Sequence, residues 1–253
     1  MSEALTRSLR AHVLDRASLS APDREQMFRL LDRCFQDADP AVFAADLAEK
    51  DTVILLSDAQ STIYGFSTLK HYDQQIGDER VHVLFSGDTI IAPEAWGSPL
   101  LQRAWLSAAL ARRAEVQGRL WWMLICSGFR TYRYLPLFFE RFWPRHDAPT
   151  PPDVQLRMDV LAAARYGERY RDGVVRIPGG RLRAGLGEVL PHRAQSPHIQ
   201  HFVARNPGHV NGEELVCLAE IHPDNFTRAM VKLARVVMSE EPLRAQERPQ
   251  AAP

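Results

Sequence analysis

The sequence predicts a protein of the α/β (α+β) class, and three features carry that expectation. Short β-branched, apolar runs recur at 52–57, 63–72, 81–92 and 119–126. Stretches with helical period lie around them at 22–35, 40–48 and 99–117. A strand, a glycine-containing loop and a capped helix follow one another across 81–116. Apolar runs of this length, rich in Val and Ile, read as strands, and apolar residues at i, i+3 and i+4 read as helices.

In chain order, residues 1–20 are mixed polar, with a short strand or arm expected near 11–14. Pro22-Asp23 opens a helix whose inner face is Met27, Leu30, Leu31, Cys34 and Phe35. Asp39-Pro40 starts a second, shorter one with Val42, Phe43, Leu47 and Ala48. The run 52–57 is continuously apolar, as in a buried strand, and pairs with 63–72 across the 58–62 turn as an antiparallel hairpin. A polar turn is expected over 74–80. The next strand is interrupted at Ser86-Gly87-Asp88, where a glycine marks a bulge or a close approach to the backbone. Ser98 reads as the N-cap of the 99–117 helix and Pro99 as its first residue, with Gly118 as the stop. A buried strand at 119–126 and a helix at 132–141 containing Pro136 complete this half. Beyond an exposed proline-rich connection at 146–152, the pattern predicts a helix at 153–170 and loop at 171–200. Strands are expected at 199–204 and 214–221, then a helix at 225–238 and a disordered tail from 239.

The chain has 253 residues, room for one large domain or a core with an elaboration. A hydrophobic share of 45% with 25% charged residues fits a soluble globular protein. A formal net charge of zero argues against a general binder of nucleic acid or anionic membranes. Cys34, Cys126 and Cys217 are isolated in apolar contexts, which suits buried reduced thiols and a cytoplasmic location. No apolar run reaches membrane-spanning length, and no signal core opens the chain.

Three stretches within 22–144 resemble the GCN5-related N-acetyltransferase (GNAT) superfamily: the hairpin with Ile63-Tyr64-Gly65-Phe66, the strand-loop-helix of 81–116, and the strand and helix ending Phe139-Glu140-Arg141-Phe142-Trp143-Pro144. The resemblance implies a mixed, mainly antiparallel sheet flanked by helices, as in acyl-CoA N-acyltransferases. It also implies a core at 1–148 and a C-terminal α+β extension packed on it at 149–238, before the tail at 239–253. The activity it implies is movement of an acyl group from a thioester of CoA to an amine or hydroxyl of a small-molecule acceptor. An acyl carrier protein is the alternative donor, and no metal is called for. By the same resemblance, Trp96, Gly97, Ser98, Pro99 and Leu100 line the pyrophosphate site. The backbone at Thr89, Ile90 and Ile91 contacts the pantetheine arm and polarises the thioester carbonyl. Where the family has Gln/Arg-x-x-Gly-x-Gly/Ala, this chain has Glu94-Ala95-Trp96-Gly97-Ser98-Pro99, so only the central glycine is kept. A phenylalanine, Phe139, stands at the family's tyrosine, with Tyr132 and Tyr134 one to two turns upstream.

The candidate catalytic residues are Asp88, as a general base for the nucleophile, and Tyr134 with Tyr132, as proton donor to the leaving thiolate. Weaker candidates are His71 and Tyr72 at a strand end, and Cys126 as a nucleophile beside Arg130 and Arg133. His192, His198, His201, His209 and His222 have no metal-site spacing. The arginines of 157–193 read as a solvated face, and 202–212 as a loop of specific turn chemistry. The alternative to an enzyme is a non-catalytic relative that kept the scaffold for binding.

Overall fold

The computed structural model describes residues 8–189 and 193–239. Its spine is a sheet whose strands are β1 (Arg10–Asp15), β2 (Thr52–Ser57), β3 (Ile63–Ile76), β4 (Glu79–Ile91), β5 (Leu120–Cys126), β6 (Phe142–Trp143), β7 (Tyr170–Arg171), β8 (Val174–Arg176) and β9 (Glu213–Glu220). They run in the order β1-β2-β3-β4-β5-β9-β8-β7, with β6 added alongside β9. Every pairing is antiparallel except that of β4 with β5, which is parallel. A parallel pair needs a crossover, and it is supplied by the long helix between these two strands.

The helices are α1 (Ala21–Cys34), α2 (Pro40–Ala48), α3 (Leu100–Glu115), α4 (Phe129–Tyr132), α5 (Tyr134–Phe138), α6 (Pro152–Tyr166), α7 (Pro197–Arg205) and α8 (Arg228–Ser239). On one face of the sheet α3, α4, α5, α7 and α8 pack over Leu84, Trp122, Leu124 and Cys217. On the other face α1 and α2 cover Val53, Leu55, Phe66 and Ile90. Beside them on that face, α6 covers Val83, Phe85, Met123 and Val216. Each large apolar side chain buried in these layers contributes roughly 1.5–3 kcal/mol. The two patches on the second face do not meet, and a cleft lies between them.

Local signals place the helices. Ser20 and Asp23 form a reciprocal capping box at the start of α1. The Asp39 carboxylate accepts from the Ala41 and Val42 amides to start α2. The strand near 11–14, the hairpin and the mixed, mainly antiparallel sheet stand as expected. So does the strand over 214–221, as β9, and no helix among the described residues is long and apolar enough to cross a membrane.

Several expectations are corrected. Residues 74–80 are not a polar turn, because β3 and β4 stay paired out to Ile76 and Glu79 around Gly77. Ser98 is not the cap of α3. Pro99 holds that position without a side-chain bond, although the Ser98 hydroxyl accepts from the Leu100 amide at 3.4 Å. The expected 132–141 helix begins earlier and breaks at Arg133 into α4 and α5. The loop assigned to 171–200 contains the β7–β8 hairpin, and 199–204 is the body of α7 rather than a strand. There Ile199 and Phe202 are buried three residues apart, on one side of a helix opened by Pro197. His192 and the tail beyond 239 lie outside the described residues. The boundary drawn at 148/149 crosses a continuous sheet, since β9 pairs with β5 along its length from Trp121↔Glu220 to Cys126↔Leu215.

Candidate active site

The β4–β5 pair is zipped only in part. Parallel pairing runs from His82↔Leu120 to Ser86↔Leu124 and stops there, although β4 continues to Ile91 and β5 to Cys126. Past that point β4 stays on β3 and β5 stays on β9, so the two strands part within one sheet. Antiparallel alternation fixes which amides face the opening. The Ala92 amide donates to Tyr64 O at 2.7 Å on the β3 side. Stepping back by two, Ile90 also faces β3, while the amides of Thr89 and Ile91 turn towards the vacated side.

Two hollows meet at this opening. A narrow slot of about 50 Å³ on the α3 face is lined by Ser86, Leu101, Gln102, Trp105, Trp122, Tyr134 and Phe138. A cleft of about 350 Å³ lies on the opposite face, between α2 and α6. Gly87, Thr89, Ile125 and Thr131 line both, so the two hollows abut at the parting. The slot is stiff: the indole N–H groups of Trp105 and Trp122 both donate to the Ser86 hydroxyl, at 3.0 and 2.9 Å.

A bulge aims Asp88. Between Ser67↔Thr89 and Leu69↔Ser86, the two residues Gly87 and Asp88 of β4 oppose Thr68 alone. Before the bulge, Val81, Val83 and Phe85 face α6 while Leu84 and Ser86 face α3. The extra residue inverts this parity, so Asp88 enters the cleft on the α2/α6 face, where it lies half-buried. Only glycine fits at 87: a Cβ there would lie 2.5 Å from Thr68 Oγ1 and 2.6 Å from Lys50 Cε.

The cleft is rich in carboxyls: Asp37, Asp39, Asp46, Glu49, Asp88 and Glu214 line it with Arg165, Tyr166 and Arg169. Beneath it Lys50 is 2% exposed and bonds Asp46 at 2.5 Å. Arg165 lies over the Phe85 ring and reaches Asp46 at 3.6 Å and Glu49 at 3.4 Å. Those two cations compensate Asp46 and Glu49. The side chains of Asp88 and Glu214 make no hydrogen bond or ion pair with described residues. Burial, then Asp46, push the Asp88 carboxyl up to about 6, and Lys50 opposes them. Burial, then Asp88 and Asp46, push Glu214 up to about 8. At neutral pH, Asp88 is mostly ionised and Glu214 mostly protonated.

The loop before α3 is folded back on itself. Gly97 has φ of 93°, and the Trp96 indole donates to Ile91 O at 2.9 Å while the Arg130 guanidinium lies over its ring. Glu94 is paired with Arg33 at 2.7 Å, which offsets its charge. Pro99 supplies no N–H, but the amides of Gly97, Leu101 and Gln102 have no partner among the described residues. They sit at the positive end of a 16-residue helix, so the loop retains donors that fit a phosphate. With its amide oxygen turned to Tyr134, Gln102 accepts from that hydroxyl at 2.6 Å and donates to Ser98 O and Pro99 O at 2.9 and 3.2 Å. This ties Tyr134 to the loop.

The structure thus brings Asp88, Thr89 and Tyr134 to the opening and turns the Ile91 amide towards it, whereas Trp96, Gly97, Ser98, Pro99 and Leu100 line neither hollow. Ile90 contributes only backbone, its side chain being buried under α1 and α2. Tyr132 does not join them. It is fully buried against Phe142 and Phe202, and its hydroxyl donates to Pro144 O at 2.8 Å. Cys126 is buried 3.9 Å from Cys217, and burial raises its thiol well above the usual range, the opposite of an activated nucleophile. His71 and Tyr72 line neither hollow. Of the 157–193 arginines, Arg157 is buried against Glu79 and Arg165 is half-buried and paired as above, whereas Arg176 with Glu213 and Arg183 with Asp32 pair on the solvated surface. In 202–212 the buried Asn206 donates to Glu213 O, a structural turn. Sequence reasoning does not single out Glu214, although period two exposes it: it shares parity with buried Val216 and Leu218 in β9.

No protein-family model matches the sequence, and no curated protein matches it. Solved structures similar to the chain include a GNAT-family N-acetyltransferase from Escherichia coli in complex with CoA. It is 17% identical over 50% of this chain and 68% of its own, with a TM-score of 0.37. A probable N-acyltransferase from Enterococcus faecalis is 14% identical over 61% of this chain, with a TM-score of 0.40. A GCN5-related N-acetyltransferase from Kribbella flavida is 15% identical over 53%, with a TM-score of 0.39. The chain spans 43% and 33% of the length of the last two. Its own sheet order, with one parallel pair that parts at its C-terminal end, makes the core GNAT-like in fold.

Proposed function

We propose that this protein transfers an acyl group from a thioester of CoA, or of an acyl carrier protein, to an amine. The observation that carries the reading is the parting of β4 from β5 beyond Ser86 and Leu124, where an apolar slot and an acidic cleft abut. The donor supplies an acyl thioester. The slot holds its extended arm, and the Thr89 and Ile91 amides donate to the carbonyl oxygen as charge develops on it. Asp88 takes the proton from the attacking amine, and Tyr134, kept neutral by burial, gives one to the departing sulfur. Three buried cysteines suit the reducing cytoplasm, where such donors are made. A non-catalytic binding module is the second reading, favoured by Glu94 and Pro99 in the loop.

Titration calorimetry with acetyl-CoA and with an acylated carrier protein, followed by an acyl-transfer assay on a panel of amines, separates the two readings. Binding of one donor is expected, with kcat/KM rising through about pH 6 as Asp88 ionises. Asp88→Asn is expected to lower it roughly 10²–10⁴-fold. Absence of any donor binding, or full activity in Asp88→Asn, contradicts the proposal.

A further inference from the structure

The acceptor cleft contains more carboxyl groups than a single amine needs. Lys50 and Arg165 answer Asp46 and Glu49, and Arg169 lies over the Tyr166 ring. Asp88 and Glu214 are left without a hydrogen-bonded or ionic partner among the described residues. Glu214 is 8% exposed and lines the cleft. A carboxyl so buried and unmatched is costly, and native structures rarely keep one without a use.

The fold sets the distance between the two. Glu214 pairs with Val175 of β8, next to Leu215 opposite Cys126, at the last residue of β5. Asp88 stands two residues past the last β4–β5 pair. The carboxyls therefore flank the end of β5 from the strands on either side. Strands lie about 4.8 Å apart, so β4 and β9 are separated by on the order of 10 Å, and more where the strands part. Apolar side chains also line the cleft, among them Phe35, Val42, Phe43, Phe85 and Ile177.

We propose that the acceptor is an α,ω-diamine or a polyamine with methylene spacers: its reacting nitrogen at Asp88, its second, permanently charged nitrogen on Glu214, and its alkyl chain against the aromatic wall. The inference rests on the acceptor side of the acyl-transfer reading and assigns Glu214 as the specificity determinant. Asp88 must release its nitrogen as a neutral nucleophile, whereas Glu214 keeps its ammonium charged throughout. At neutral pH Glu214 surrenders its proton when the second ammonium arrives, so binding releases a proton into the buffer.

The test is calorimetric titration of the full chain, without any acyl donor, using 1,5-diaminopentane and pentylamine at equal ionic strength and in two buffers of different ionisation heat. The diamine is expected to bind at least tenfold more tightly and to release a proton near pH 7. In Glu214→Gln both the tenfold preference and the proton release disappear, with a thermal midpoint no lower than that of the natural chain as the check on folding. Equal binding of the two amines, binding of neither at millimolar concentration, or an undiminished preference in a folded Glu214→Gln overturns the assignment. Because no donor is present, failure here leaves acyl transfer to a monoamine standing. Conversely, a diamine that binds while no thioester does sinks the transfer reading alone.

Discussion

Asp88 and Glu214 are both carboxyls raised above their ordinary range, and the sign of their effect on stability follows from that. The folded state binds their protons more tightly than the unfolded chain does. Their favourable contribution is therefore complete below the unfolded values and is lost as pH rises through about 6 for Asp88 and about 8 for Glu214. Glu214→Gln removes the liability at its larger source. Its stability relative to the natural chain, measured by urea denaturation, is expected to improve between pH 6 and 9 by on the order of a few kcal/mol, since each tenfold difference in proton affinity between the folded and unfolded chain is worth about 1.4 kcal/mol. A difference that stays flat with pH, or grows towards acid, contradicts the assignment of a buried, unmatched carboxyl. At this scale the sequence is only partly readable. Asp88 stands out as an acid interrupting an apolar run. Glu214 sits at the edge of such a run and shows itself only when parity is counted. The choice between Tyr132 and Tyr134 depends on the helix break at Arg133, and side-chain direction after such a break has no sequence period to report it.

The decisive element is the bulge in β4. Without its extra residue Asp88 would share the face of Ser86, inside the slot with Trp105 and Trp122 rather than in the acidic cleft. Gly87 permits this because Thr68 and Lys50 already occupy the space of a side chain. Gly87→Ala is expected to cost about 1–3 kcal/mol in urea denaturation, because the Thr68 hydroxyl and the buried Lys50 side chain must shift. It is also expected to remove the near-neutral titration of Asp88. An alanine variant as stable as the natural chain contradicts the close approach. The glycine-marked interruption is legible as a bulge. The hairpin and most helix starts are legible too, since capping residues and β-branched runs carry local signals. The α7 segment is not, because a short apolar run bounded by a proline fits either a strand or a buried helix turn, and only packing against Tyr132 and His209 decides it.

At the scale of the whole molecule, the region after 148 completes the site. β9 covers the free edge of β5 and contributes Glu214. The 177–187 segment crosses to the end of α1, where Gln36 N donates to Arg181 O at 2.7 Å and Arg183 N to Cys34 O at 2.9 Å, closing one side of the cleft. No local pattern in the sequence reports that closure, because its bonds join residues far apart in the chain and the segment itself is rich in Gly, Pro and Arg. Everything proposed for the site depends on β4 and β5 remaining parted. Amide hydrogen exchange, read residue by residue with and without acetyl-CoA, tests this most directly. In the free protein the Thr89 and Ile91 amides are expected to exchange much faster than Ile90 and than the paired residues 83–86, and to become protected when the donor binds. Thr89 and Ile91 amides already as slow as Ile90 in the free protein would mean that the strands are closed, and the proposed site would not exist.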